Sequence, residues 1–462
     1  MIHIPPFTEN PVGVLGLGRS GLAAARALQQ SGFPTWAWDD NAGTREKTEG
    51  LGLQLVDPMT RDWTRAGALV LSPGIPHTHP TPHPAVARAK AAGCPVIGDV
   101  DLLARSRPEA TFIGITGTNG KSTTTALIGH ILQKAGRTIQ VGGNLGAPVL
   151  EMEPLGRDGI YVLELSSYQL ELAPNARFDV ALLLNVSPDH LERHGGMAGY
   201  LAAKKRIFAN QKGPSTAIVG IDDERSRAVY EELNGHGKTR AVPVSGSGRA
   251  EGGIYAIDGV LYDETGGTRK RVMDLTGVSS LPGVHNRQNV AAAYAATRVM
   301  GIPVDVIATG IESYPGLAHR QELIAVIDGV AYVNDSKATN PDACARALDS
   351  YDDIYWIVGG LPKEGGLDVL GPYLGRVRHA FLIGEAEDLI SRAISGKASF
   401  SRSETLDVAV AHARHYARAG GAENPVVLLS PACASFDQFE NFEVRGEAFR
   451  ALVQDLPGRR SR

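Results

Sequence analysis

The stretch Thr111-Phe112-Ile113-Gly114-Ile115-Thr116-Gly117-Thr118-Asn119-Gly120-Lys121-Ser122 decides how this chain is read. Thr111–Ile115 spells a short buried strand, glycines interrupt it, and a lysine and a hydroxyl residue open the segment beyond them. That segment places Leu127, Ile128, Ile131 and Leu132 on one face, the spacing of a helix with a buried stripe. Strand, glycine turn, lysine and hydroxyl at a helix N-terminus are the parts of a phosphate-binding loop. Backbone N–H groups hold the phosphates, Lys121 neutralises charge at the β/γ bridge, and the Ser122 hydroxyl can ligate Mg²⁺. The strict pattern fails at one position, where its first glycine is replaced by Ile115.

Upstream, the strand Val12–Leu15 runs into Gly16-Leu17-Gly18-Arg19-Ser20-Gly21 and an alanine-rich helix from about Leu22 to Gln30, with Asp39 after the next strand. This satisfies a dinucleotide fingerprint and, taken alone, suggests a nicotinamide-dependent oxidoreductase. The physics is less selective. Glycines let a backbone approach a pyrophosphate, and a helix N-terminus stabilises its charge whatever sugar and base are attached, so a UDP-sugar fits equally. The region closes near Arg105-Ser106-Arg107-Pro108, which reads as a linker.

Downstream, Glu164 ends the strand Ile160–Leu163, and His190 comes after the strand Val180–Leu184 in Asn185-Val186-Ser187-Pro188-Asp189-His190. Residues at the C-terminal ends of parallel strands face the ligand crevice. Beside a phosphate loop, both are candidate Mg²⁺ ligands. The segment from Ser245 to Thr276 is glycine-rich and short-patterned, as in hairpins. A further unit starts after Tyr314-Pro315-Gly316, with strands around Ile354–Val358 and Val426–Leu429. Alternating strands and helices predict an α/β chain of three domains, residues 1–104, 105–314 and 315–462, without solenoid repeats.

Composition is that of a globular chain, 43% hydrophobic and 21% charged over 462 residues. A formal charge of -4 and the absence of a long basic run argue against nucleic acid or an anionic membrane as partner. Arg459, Arg460 and Arg462 read as a solvated tail. Cys94, Cys344 and Cys433 lack metal-ligand spacing and form no disulfide framework, so a reducing cytoplasm is expected. Met1-Ile2-His3-Ile4-Pro5-Pro6 has no signal-peptide pattern, and no apolar run reaches the length of a membrane span. Pro76-His77-Thr78-His79 with His83 reads as an extended loop rather than a metal cluster, and Cys433 as a small buried residue rather than a nucleophile.

The motifs GTNGKST (117–123), ELSSYQLE (164–171), NVSPDH (185–190), YLAAKKRIF (200–208), HNRQN (285–289), HR (319–320), NDSKATN (334–340) and SPACASFDQFENFEVRG (430–446) resemble, in order, those of the Mur ligases. NDSKATN and SPACASFDQF, with Ser166–Leu170, are most similar to the branch that adds D-glutamate. The resemblance implies a Rossmann-like N-terminal domain, a central ATPase-type domain of the phosphate-loop kind and a Rossmann-like C-terminal domain. It implies an ATP-dependent ligase joining D-glutamate to UDP-N-acetylmuramoyl-L-alanine through an acyl phosphate, in cytoplasmic peptidoglycan precursor synthesis; a monomer is expected.

Residue by residue, it implies that Gly18, Arg19, Ser20, Asp39, Ser72, Pro73 and Gly74 lie near the UDP part and that Asn144 serves the muramoyl substrate. Gly117, Thr118, Asn119, Gly120, Lys121, Ser122 and Thr123 would hold phosphates, with Asn286 and Asn289 near adenine and Arg320, Asp335 and Lys337 around the nucleotide. Ser122, Glu164, His190 and Lys204 would serve two Mg²⁺ sites, Lys204 as a carbamylated lysine. Thr339, Lys363, Ser435 and Phe442 would surround D-glutamate. Lys121, His190 and Lys204 are the catalytic candidates, with His190 open between metal ligand and base for the attacking amine. Pro362 stands where many relatives carry an acid, and Asp40 and Asn41 where they often carry a hydroxyl and an arginine. An oxidoreductase would leave Lys121, Glu164 and the C-terminal motifs unexplained, and a non-catalytic UDP-sugar sensor would not need the phosphate and metal residues.

Overall fold

The computed structural model describes residues 1–236, 239–278, 280–362 and 366–461, and the fold is α/β throughout. Two compact units emerge, one from Met1–Leu275 with Arg287–Ser313, the other from Thr276–Asn286 with the chain from Tyr314 onward.

The first unit holds two sheets. In the smaller, β1 (Val12–Leu15), β2 (Thr35–Trp38), β3 (Ala68–Leu71) and β4 (Val96–Ile97) lie parallel in the order β2-β1-β3-β4. All residues of β1 and β3 are buried, the near-continuous apolar run expected when both faces of a parallel sheet are covered. The helix begins at Arg19, three residues before the sequence pattern places it, because Gly18 serves as its N-cap. The linker expected at Arg105–Pro108 starts later. Asp99–Ser106 is a helix whose Val100, Leu102 and Leu103 are buried, and Arg105 pairs with Asp101 one turn back at 2.7 Å.

The larger sheet is built from β5 (Thr111–Thr116), β6 (Ile139–Gly143), β7 (Ile160–Glu164), β8 (Val180–Leu183), β9 (Thr216–Gly220), β10 (Arg240–Ser245), β11 (Ile254–Ile257), β12 (Val260–Asp263) and β13 (Lys270–Asp274). Its order is β13-β12-β11-β10-β9-β8-β5-β7-β6, parallel except for the antiparallel β11-β12-β13 meander. The meander is the hairpin pattern anticipated from Ser245 to Thr276. The helix Lys121–Lys134 packs Leu127, Ile128, Ile131 and Leu132 at 0% exposure, and truncating one such side chain to alanine costs about 2–5 kcal/mol. The two sheets share one core: Ile2, Val12 and Val70 belong to the same buried cluster as Tyr161, Leu163 and Leu183.

The second unit is a sheet of β14 (Glu322–Ile327), β15 (Val330–Asn334), β16 (Asp353–Gly359), β17 (Val377–Ile383), β18 (Phe400–Glu404), β19 (Pro425–Ala432) and β20 (Arg460–Ser461), in the order β18-β17-β16-β19-β15-β14-β20. The strands from β18 to β15 are parallel, β14 joins β15 antiparallel, and β20 pairs antiparallel with β14 at the edge. The expected solvated tail is exposed at Arg459 and Arg460, yet ordered: Arg460 lies in an edge strand, and the Arg459 amide donates to Asp328 at 2.8 Å. Arg462 falls outside the described residues. Among the described residues no helix is long and apolar enough to cross a membrane.

Candidate active site

In the nine-stranded sheet β5 lies between β7 and β8, so the loop after β5 meets the ends of both neighbours. Ile115 sits in register with Glu164, which brings that carboxylate beside the loop. Gly120, at φ +84°, caps the helix Lys121–Lys134 without a side-chain cap, and a Cβ there would run into the Asn289 amide. The loop is held from β8: the Asn119 amide donates to Asn185 Oδ1 at 2.9 Å, and Asn185 Nδ2 donates back to Asn119 O at 3.0 Å. Thr118 Oγ1 lies 3.2 Å from the Tyr200 hydroxyl and donates to Ser187 O at 3.1 Å. Asn185 and Tyr200 were not singled out as site residues from sequence. Asn185 was within a quoted motif, but its side-chain role depends on sheet order.

The polar groups inside the loop are tightly grouped. Ser122 Oγ donates to Glu164 Oε2 at 2.5 Å, and Asn144 Nδ2 donates to Glu164 Oε1 at 3.0 Å. Glu164 is 2% exposed. Lys121 Nζ donates to Gly117 O at 3.0 Å and Thr118 O at 2.8 Å, while Lys204 Nζ donates to the same Gly117 carbonyl at 2.7 Å. Lys204 is buried, and desolvation, reinforced by the Lys121 ammonium, pushes its pKa well below the ordinary lysine value. Adjacent Lys205 points to Glu232 at 2.5 Å and is about a third exposed. His190 has φ +53°, faces Asp189 at 3.5 Å, and its ring lies 5.2 Å from that of Tyr168 at a tilt of 53°.

A second group, invisible to local pattern, lies behind this loop. Glu171 faces His194 Nδ1 at 3.5 Å, His77 Nε2 at 3.8 Å and Arg193 Nη1 at 3.9 Å. Arg193 also donates to Ile75 O at 3.0 Å and contacts His77 Nδ1 at 3.1 Å, so the loop after β3 is tied to the segment after β8. Burial brings the His77 pKa down to about 4, which leaves it neutral at pH 7. The loop expected to carry Pro76–His83 thus has two placed histidines: His77 in this network, and His83 capping the helix Pro84–Ala91 through Nδ1.

At the first glycine loop, Asp39 accepts from the Leu17 amide at 2.7 Å and the Asn41 amide at 2.9 Å, and Ser72 Oγ donates to Gly16 O at 2.9 Å. Asn41 caps its own helix, and Asp40 lies 2.8 Å from His83. A cavity of about 180 Å³ opens between Arg19, Ser20, Pro73, Gly143, Asn144 and Gln169. It brings residues of the first loop to Asn144, itself bonded to Glu164. Gly18, Ser72 and Gly74 flank or support this loop in sequence; the cavity is lined by neighbours of each.

In the second unit, Asp335 is buried, accepts from Ser430 Oγ at 2.9 Å and the Gln321 amide at 3.1 Å, and desolvation pushes its pKa up to about 7. Lys337 lies 3.6 Å from the Phe442 ring centroid, and the Thr339 amide donates to Lys337 O at 2.8 Å. Ser435 is 2% exposed. Arg445, missed as a functional candidate, donates to Ser336 Oγ at 3.0 Å, Ser336 O at 2.9 Å, Cys433 O at 3.2 Å and Ala434 O at 3.3 Å. It welds the segment after β15 to the segment after β19, joining the surroundings of Thr339 and Ser435. Cys433 is 2% exposed, consistent with a small buried residue. Asn286 donates to Pro282 O at 2.7 Å, and Arg320 comes directly after the left-handed His319. Lys363 lies outside the described residues.

The chain matches two family models, the Mur ligase middle domain over residues 115–297 and the Mur ligase, glutamate ligase domain over residues 319–433. It is 51% identical to the UDP-N-acetylmuramoylalanine--D-glutamate ligase of Rhodospirillum rubrum, over 99% of this chain and 97% of that protein. It is 50% identical to the same-named protein of Phenylobacterium zucineum, over 99% of this chain and 98% of that one. Among solved structures it resembles a pseudomurein peptide ligase type C from Methanothermus fervidus at a TM-score of 0.56, with 15% identity and coverage of 97% and 100%, a likeness of fold. With two matched models along its length and half-identical relatives end to end, the chain belongs to the Mur ligase family.

Proposed function

We propose that this chain is an ATP-dependent ligase that joins D-glutamate to UDP-N-acetylmuramoyl-L-alanine in peptidoglycan precursor synthesis. The single observation that carries the reading is the Ser122–Glu164–Asn144 chain of hydrogen bonds, which runs from the phosphate loop to the cavity beside the first glycine loop. A γ-phosphoryl donor on one side and a carboxylate acceptor on the other would meet there. Names of half-identical relatives support the same reaction. No observation favours an oxidoreductase.

The donor set suits a hard divalent cation. Ser122 and Glu164 offer only oxygen, and among the described residues there is no ready-made cluster of three or more His, Cys, Asp or Glu side chains. Mg²⁺ usually takes one or two carboxylates and completes its shell with water and substrate phosphates. When bound, it would draw charge from the transferring phosphoryl group. Ser122 and Glu164 would hold one ion, and His190 with Lys204 a second. A bare ammonium at Lys204 has no lone pair for a cation, but burial favours its neutral amine, the form that adds CO₂ to become a carbamate.

A carboxylate is a poor electrophile, so it is activated first. Its oxygen attacks the γ-phosphorus and ADP leaves; the amine of D-glutamate then attacks the acyl phosphate and inorganic phosphate leaves. Lys121 stabilises the spread negative charge, and the Asn119–Asn185 contacts fix the loop that aims it. The amine must shed a proton, and His190 would serve as metal ligand or as that base. In the same reading residues 1–104 bind UDP, 105–314 bind ATP and 315–462 bring D-glutamate through Thr339, Lys363, Ser435 and Phe442. Asn286, Asn289, Arg320, Asp335 and Lys337 serve the nucleotide. Phosphate release that requires both UDP-N-acetylmuramoyl-L-alanine and D-glutamate is the expected result; ATP hydrolysis indifferent to either substrate would overturn it.

A further inference from the structure

Arg193 is only 9% exposed, and its charge is loosely paired. Glu171 Oε2 lies 3.9 Å from Nη1, and neither Nη1 nor Nε closes a hydrogen bond. A buried charge in so loose a pair costs stability. Its close contacts run elsewhere: Nη2 donates to Ile75 O at 3.0 Å and to His77 Nδ1 at 3.1 Å, both in the loop after β3. A guanidinium can only donate, so His77 Nδ1 carries the lone pair and the ring proton sits on Nε2, towards Glu171. Lys90 Nζ holds the same loop from the other side, donating to His77 O at 2.7 Å.

Along the chain, Arg193 belongs to the turn that carries His190. The helix Leu191–His194 is four residues long, starts from His190 in the left-handed region, and buries Arg193 and His194. So short a helix has no stability of its own, and its buried side chains decide where it sits. His194 Nε2 lies 2.9 Å from Ser167 Oγ, and its Nδ1 faces Glu171 Oε1 at 3.5 Å. Tyr168 fills the middle, with the Arg193 guanidinium 5.0 Å from its ring, the His194 ring at 5.4 Å and the His190 ring at 5.2 Å. Pro73 of the loop after β3, and Gln169 next to Tyr168, line the cavity beside the first glycine loop. One side chain thus joins the loop of the cavity wall to the turn and the ring that flank His190.

We propose that Arg193 is a positioning residue for the ligation: by gripping Ile75 O and His77 it sets the turn that carries His190, so that the substrate wall and the His190 imidazole keep one fixed relation. This rests on the reading of His190 as metal ligand or base. The effect of Arg193 on the reaction passes through His190, which gives it a signature that a merely structural role lacks.

The test compares kcat and each KM in the wild type, Arg193→Met, His190→Ala and the double variant, with circular dichroism as the check on folding. Methionine keeps much of the apolar stem and removes the donors. Arg193→Met is expected to lower kcat by about 10- to 100-fold, the scale of a small misplacement of reacting groups, while KM for ATP does not move. His190→Ala is expected to lose about 10²-fold or more, the scale of a lost acid–base group. In the His190→Ala background Arg193→Met should cost nothing further, because a residue that acts by placing His190 has nothing left to place. Arg193→Lys, which keeps a donor for the loop, should recover part of kcat. If Arg193→Met does not fold, His77→Leu with and without His190→Ala makes the same comparison, with a smaller fall expected because Ile75 O still holds Arg193. The same factor lost in both backgrounds would make the role structural and overturn the proposal, as would wild-type kcat in folded Arg193→Met. An unchanged kcat in His190→Ala would overturn the reading of His190 and the proposal with it.

Discussion

The chain builds the same backbone device twice, after β1 and after β5, and surrounds the two with different chemistry. Each turn carries a left-handed glycine, Gly16 at φ +86° and Gly120 at φ +84°, and each leads into a helix capped by a glycine without a side-chain cap. Both leave helix N–H groups suited to an anion. Around the first stand the Asp39 carboxylate, the Ser72 hydroxyl and the exposed Arg19, which donates to Gly146 O. Around the second stand two lysines sharing the Gly117 carbonyl and a buried glutamate on Ser122. A phosphate that is merely held needs only the backbone and neutral donors. A phosphoryl group that is transferred needs cations to follow its charge, and the second loop turns two lysines onto one of its own carbonyls where the first has Arg19.

Lys121→Ala should break this contrast most severely, lowering turnover by at least about 10²-fold, since removing one charge-stabilising donor has that effect. Circular dichroism checks that the fold survives; near-normal turnover would remove Lys121 from the chemistry. Lys204→Ala should lose about 10-fold or more, because the second metal would lack its oxygen ligand. Added formate or acetate should restore part of that activity, while Lys205→Ala should stay mild. Neighbouring helix residues point about 100° apart, and Lys205 is turned to Glu232. Extra density on Lys204 Nζ in a crystal structure at neutral pH would support the carbamate; an unmodified amine in an active, metal-loaded crystal would count against it.

Smaller effects belong to the second unit. Ser435→Ala should raise KM for D-glutamate about 10-fold and leave that for ATP nearly unchanged, the scale of a lost hydrogen bond to a charged group. Equal effects on both substrates would move Ser435 out of the amino-acid pocket. Asp335 tests burial rather than catalysis. Its folded pKa of about 7 lies above the unfolded value of about 3.9, so the fold holds a proton that the unfolded chain has lost. Its contribution is fully present below about pH 4 and is lost as pH rises through about 7. The melting temperature of Asp335→Asn should therefore gain on the wild type by a few degrees across that window and level off above it. A gap independent of pH would show that Asp335 is ionised throughout.

The elements and both glycine loops were legible because each is written in consecutive residues: a buried strand, a turn that only glycine tolerates, and an apolar stripe at helical spacing. Leu127, Ile128, Ile131 and Leu132 were placed correctly on that ground alone. What was missed is long-range. Arg445 reaches Ser336 across 109 positions and Arg193 reaches Ile75 across 118, and no local pattern encodes such a meeting. The misplaced linker has the same origin: Arg105 is polar in sequence, but in the fold it is Asp101's partner.

The central claim is that this chain activates a carboxylate by phosphorylation before an amine displaces phosphate. Labelling the L-alanine carboxylate of UDP-N-acetylmuramoyl-L-alanine with ¹⁸O and analysing the released phosphate by mass spectrometry tests it most directly. If the carboxylate oxygen attacks the γ-phosphorus, an ¹⁸O atom from the substrate ends in inorganic phosphate, and the product amide retains the other. Unlabelled phosphate released alongside amide product would contradict the acyl-phosphate route.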